Sequence, residues 1–138
     1  MGKSKWGIQF DGFAEYMAKL DELDADLKAI TTKCLEVAHE HITPNIQADI
    51  QKHKRTGNTA KSIIEEKHVE WDGTVASIKV GFNLKTGGMP SIFLMYGTPR
   101  TKKDTKLYND IYGGATKKKI AEMQQQILNN AIAEKLGG

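Results

Sequence analysis

Cysteine is nearly absent, with Cys34 the single example in 138 residues. One thiol forms no internal disulfide, which excludes a disulfide-stapled scaffold, and its apolar neighbours predict a buried, reduced side chain rather than a reactive one. Long hydrophobic runs are missing as well. Charges interrupt every apolar stretch well short of the roughly 20 residues that a membrane-spanning helix requires. Segment 1–10 carries lysines but no apolar block and no small-residue cleavage site, so it does not resemble a secretory signal. Synthesis and residence in a cytoplasm are expected. There is no internal repeat and no low-complexity segment. A chain of this length with 39% hydrophobic and 27% charged residues fits a single domain over 1–138 with one modest core.

Catalytic patterns are equally scarce. His39-Glu40-His41 places two imidazoles two residues apart, whereas a helical zinc site needs them four apart to share a face. No serine or cysteine stands in a nucleophile elbow, and Cys34 lacks a histidine spaced to share its face. Thr86-Gly87-Gly88 and Gly113-Gly114 lack the Gly-Lys-Ser/Thr ending of a phosphate-binding loop and the spaced glycines of a dinucleotide fingerprint. The expectation is therefore a protein that is not an enzyme and uses no metal or cofactor.

Charge is distributed unevenly under a modest net +3. Between Asp11 and Ile50 nine acids face three lysines, a net of −6, while between Lys85 and Lys119 eight bases face two acids, a net of +6. The two regions should attract, within one chain or between copies. Basic clusters at 52–55, 100–106 and 117–119, with Tyr108 and Tyr112 nearby, also suit phosphate contact and base stacking, so a nucleic-acid-binding module is the alternative function.

The fold class expected is α+β. Apolar residues from Phe13 to Ile50 recur at three- and four-residue steps, predicting a long N-terminal amphipathic helix, kinked or broken near Pro44. Thr43 is placed to cap a second helix with Pro44 at its first position. Gly57 and Asn58 then end the helix. Ser62–Trp71 and Thr74–Phe82 read as strands of a hairpin turning at Asp72-Gly73, with Ala76, Ile78, Val80 and Phe82 on one face. Ile92–Tyr96 is expected to add another strand, making an antiparallel sheet of three or four. Residues 98–114 lose periodicity and predict a mobile basic loop; segment 1–10 is expected to be flexible. Ile120, Met123, Ile127 and Ala131 then mark a C-terminal helix over 115–136.

Two short segments carry a resemblance. Thr56-Gly57-Asn58-Thr59-Ala60-Lys61-Ser62-Ile63, after a long amphipathic helix, is similar to the Thr-Gly-Asn-x-x-x-Ser-Ile signature of the tail-completion, or head–tail joining, proteins of long-tailed bacteriophages. Phe93-Leu94-Met95-Tyr96-Gly97-Thr98 resembles that family's aromatic-x-x-aromatic-Gly-Thr segment, and a hairpin ending in Val80-Gly81-Phe82 lies between the two. The chain departs from the family where a Pro-rich stretch ending in Phe-Leu-Arg-Pro is usual, since 101–114 has lysines, tyrosines and glycines instead. Met95 stands where an acid is common.

The resemblance implies a structural virion-assembly subunit that forms a ring, a hexamer in the family, between tail and neck. Its partners would be further copies of itself, the tail tube and neck or connector proteins; its places would be the host cytoplasm during assembly and then the virion. Another neck or minor capsid role belongs to the same class. In that setting Thr56, Gly57, Asn58, Ser62 and Ile63 are the motif turn and Tyr96, Gly97 and Thr98 the motif strand end. Arg100, Lys102, Lys103, Lys106 and Tyr108 are the expected docking loop. A purely structural role for both motifs is the simpler reading of the turn chemistry.

Overall fold

The computed structural model describes residues 3–8, 12–53, 57–73, 75–83, 86–88, 90–99 and 102–137. Its spine is a helix, α2, running unbroken over Leu27–Ile50. Leu35, Ala38, Ile42, Ile46 and Ile50 recur at three- and four-residue steps along it and are all at most 1% exposed. Pro44 lies on the exposed side of this helix and does not break it, contrary to expectation. The neighbouring Asn45 side chain donates to the His41 carbonyl at 3.0 Å, adding a hydrogen bond next to the one proline cannot make.

The chain breaks earlier. A first helix, α1, covers Phe13–Glu22 and closes where Asp24 takes a left-handed φ of 56° and the Ala25 N–H reaches back to the Leu20 carbonyl at 3.0 Å. That is the chemistry of a helix C-terminus with aspartate in the place glycine usually holds. Asp26 then caps α2, its carboxylate accepting from the Ala29 N–H at 3.1 Å. The break expected near Pro44 therefore falls at 23–26, between α1 and α2.

Three strands, β1 (Lys3–Trp6), β2 (Val69–Asp72) and β3 (Val75–Gly81), form an antiparallel sheet in the order β1-β3-β2. The hairpin of β2 and β3 is where the alternation placed it, turning through Gly73 at a φ of 64°. Ile78, Val80 and Phe82 are fully buried against α2. Regular pairing of the first hairpin strand starts only at Val69; before it, Ile63 makes a single bridge to Phe82. The Ile64 carbonyl instead accepts from His39 Nε2 on α2 at 2.8 Å. Segment 3–6, expected to be flexible, supplies the third strand by pairing Lys3 with Gly81 through Trp6 with Ile78.

The remaining elements are helical. A short α3 (Gly57–Lys61) precedes the hairpin and α4 (Pro90–Tyr96) follows it. The run 92–96 is thus helix, not strand, because Pro90 opens it and Ser91 Oγ donates to the Gly88 carbonyl at 2.6 Å. About half of the expected mobile loop is a further helix, α5 (Thr105–Tyr112), whose Asp104 cap accepts from the Leu107 N–H at 3.0 Å. The C-terminal helix α6 spans Gly114–Gly137, as its periodicity predicted.

Leu107 and Ile111 of α5 and Ile120 of α6 close the main core around α2, while Leu20, Cys34 and Leu128 make a smaller one at the opposite end of that helix. The hairpin is also fixed to α2 by Lys28, whose Nζ stands 5.3 Å from the Trp71 ring centroid. No described helix is long and apolar enough to cross a membrane.

Candidate assembly surface

The two motif segments sit on either side of one loop. From the first, Thr59 Oγ1 donates to the Gly87 carbonyl at 3.3 Å, and the buried Ser62 hydroxyl donates to the Thr59 carbonyl at 2.6 Å. The Asn83 N–H donates to the Ser62 carbonyl at 2.8 Å, and the Gly88 N–H donates to the Asn83 carbonyl at 3.0 Å. Space is tight. A Cβ on Gly88 would lie 2.6 Å from the Asn83 oxygen and 2.9 Å from Ser62 Oγ; one on Gly87, already at a φ of 107°, would lie 3.1 Å from the Asn58 oxygen. Only glycine fits these approaches. These bonds form a latch between 59–62 and 83–88 that ends at Ser91 and so sets the start of α4. Thr56 lies outside the described residues; Gly57 and Asn58 are exposed at the start of α3, and Ser62 and Ile63 are buried.

Beyond the latch, α4 presents a different surface. Ser91 and Met95, four residues apart, face inward, so Phe93 and Tyr96 face outward at 52% and 48% exposure. Gly97 ends the helix at a φ of 78°, its N–H bonding to the Phe93 carbonyl at 2.8 Å. The Asp104 N–H then bonds to the Leu94 carbonyl, which lays α5 beside α4. Tyr96 meets Tyr108 edge to face with ring centroids 5.6 Å apart, and Tyr108 meets Tyr112 at 5.1 Å. Met95, Tyr96, Lys103, Thr105 and Tyr108 line a cleft of about 320 Å³.

Electrostatics clamp α5 to α2 beneath this face. Asp104 Oδ2 lies 2.8 Å from His53 Nε2 at the end of α2. Burial works to raise the pKa of the Asp104 carboxyl, but the Leu107 amide and the His53 ring outweigh it and hold the group below the usual range. Lys106 bridges Asp49 Oδ1 at 2.8 Å and Asp110 Oδ2 at 2.7 Å. Asp49 is 1% exposed and packs its carboxylate against Lys106 and Asp110. Burial, with the adjacent Asp110 carboxyl second, lifts the Asp49 pKa, whereas Asp110 is held low by its contacts with Asp49 and Lys106 despite its own burial. Part of the attraction between the acidic and basic regions is thus satisfied inside one chain, and Lys106 is engaged in it.

The expected docking residues therefore divide. Tyr108 and Lys103 come together in the cleft with Tyr96 of the second motif segment, and Lys102 is exposed next to Lys103; Lys106 is turned to the Asp49–Asp110 clamp; Arg100 lies outside the described residues. Thr98 is exposed past the end of α4. Phe93, part of the second motif segment but not singled out as a contact residue, shares the outward side of α4 with Tyr96 at a three-residue step; that spacing is visible once the segment is read as helix.

His39 is buried and bonded to the Ile64 carbonyl, while His41 is half-buried on another side of α2. Among the described residues no group of three or more His, Cys, Asp or Glu side chains comes together as a metal site would require. Cys34 is fully buried, and burial pushes its thiol pKa up to about 11. No protein-family model, curated protein or solved structure matches the chain.

Proposed function

We propose that this chain is a structural, non-catalytic subunit of the tail-completion or head–tail joining class of long-tailed bacteriophages. It would assemble as a ring of identical copies between tail and neck, in the host cytoplasm and then in the virion. The observation that carries the proposal is the α4–α5 face, where Phe93 and Tyr96 stand exposed beside Tyr108 with Lys102 and Lys103 at the border. Exposed aromatics are what protein interfaces use as anchors, and charged side chains at the border form the polar rim around them. The second motif segment supplies Phe93 and Tyr96, and the first braces the loop from which α4 starts. Residue chemistry and family resemblance thus converge on one face.

Solution mass by light scattering, at low and moderate salt and with or without duplex DNA, tests the proposal. A salt-sensitive oligomer indifferent to DNA supports it. A monomer that binds DNA with an affinity falling steeply with salt overturns it in favour of a nucleic-acid-binding module.

A further inference from the structure

We infer that the corner where the α1–α2 turn meets the end of α6 docks into the Tyr96–Tyr108 cleft of a second copy of this chain, joining copies head to tail. This rests on the assembly role proposed above and names the contact that performs it. The two surfaces lie at opposite ends of one helix pair. α2 and α6 run antiparallel, since Gln124 Nε2 donates to the Cys34 carbonyl at 2.9 Å and Leu128 packs with Leu20 and Cys34. Thr116 Oγ1 donates to the Asn109 carbonyl at 2.6 Å, tying the start of α6 to α5. The α4–α5 face therefore adjoins the end of α2 and the beginning of α6, and the α1–α2 turn adjoins the reverse ends.

The two surfaces are complementary in charge. Asp21, Glu22, Asp24 and Asp26 are exposed at the turn, and none has an ion-pair partner among the described residues. Lys102 and Lys103 are exposed and likewise lack one. The 24 residues of α2 are about 36 Å long at about 1.5 Å per residue, well beyond a Debye length of about 10 Å at 0.1 M salt. Within one copy the two sets cannot neutralise each other; between copies they can.

Apolar exposure follows the same polarity. Among the described residues the large hydrophobics left exposed are Phe93 and Tyr96 at one end and Leu136, at 64%, at the other. Leu136 follows Glu134 and Lys135, which line a groove with Ala25, Asp26 and Lys33. A leucine beside the acidic turn at one end thus has its counterpart in an aromatic cleft bordered by lysines at the other. Because the patches are different surfaces of the molecule, the contact is heterologous and propagates into a ring or a filament.

A charge exchange tests this contact. One variant carries Lys102→Glu and Lys103→Glu; the other carries Asp21→Lys and Glu22→Lys. All four side chains are exposed, and circular dichroism checks that each variant is folded. By sedimentation velocity at low salt, each variant alone is expected to associate at least about tenfold more weakly than the wild type, while an equimolar mixture regains the wild-type mass. A wild type that associates and variants that do so equally well, or a mixture that fails to recover, would overturn the contact while leaving self-assembly standing. A wild type that stays monomeric at every concentration, alone and in the mixtures, would overturn the contact and the ring together. Duplex DNA bound by the wild type and lost in the Lys102→Glu/Lys103→Glu variant would assign the cleft to nucleic acid instead.

Discussion

Thr59, Ser62, Asn83 and Gly88 satisfy one another across the latch, whereas Phe93, Tyr96, Lys102 and Lys103, a few residues further on, keep much of their surface in water. The two segments that carry the family resemblance are close in the fold but differ in kind. A motif that closes on itself holds a shape, and its substitution costs stability. A neighbouring surface left open offers contact, and its substitution leaves the fold intact. Lys106 shows why charge alone does not separate the two, since it is as basic as Lys103 yet belongs to an internal clamp.

Substitutions should break this comparison along that line. The largest loss of stability is expected for Gly88→Ala, which forces a Cβ to within 2.6 Å of the Asn83 carbonyl oxygen and should cost about 3 kcal/mol in urea denaturation. Gly114→Ala, whose Cβ would meet nothing within 4 Å, should cost almost nothing. Ser62→Ala comes next, at about 1–2 kcal/mol, because it deletes the buried donor to the Thr59 carbonyl.

Asp104→Asn keeps a capping side chain but removes the charge facing His53. The folded-state pKa of Asp104 is depressed, so its contribution is complete above the unfolded carboxylate pKa of about 3.9 and is lost as pH falls through the lower folded value. Asp110 acts in the same direction and Asp49, with its raised pKa, in the opposite one. Stability of the wild type should therefore fall more steeply below about pH 4 than that of Asp104→Asn. A variant with an identical acid limb would show that the His53–Asp104 pair contributes nothing. Cys34 should resist a thiol reagent in the folded protein and react on unfolding, given a buried thiol with a pKa of about 11.

Much of this was legible in the residues. The β2–β3 hairpin followed from strict alternation and a glycine turn, and α6 followed from long helical periodicity, two signals that tertiary packing rarely overrides. The break at 23–26 was hidden because aspartate, not glycine, occupies the left-handed position. The helix at 105–112 was hidden by its lysines and tyrosines, although Asp104 as a cap and Leu107 with Ile111 four residues later are its signature. The run 92–96 is too short for period to separate helix from strand, and the Pro90–Ser91 start decides it. Of the candidate site, Tyr96, Lys103 and Tyr108 were foreseen individually. Their meeting in one cleft was not, because it depends on the Leu94–Asp104 backbone bond that lays α5 against α4.

A small effect on stability, within about 0.5 kcal/mol, is expected of Phe93→Ser, since that ring is 52% exposed. It is also the most direct test of the distinction drawn here. Thermal unfolding and sedimentation velocity on the same Phe93→Ser sample should return an unchanged melting temperature together with association weakened by at least about tenfold. Association equal to the wild type, or a melting temperature lowered as far as that of Ser62→Ala, would contradict the assignment of the α4–α5 face to assembly.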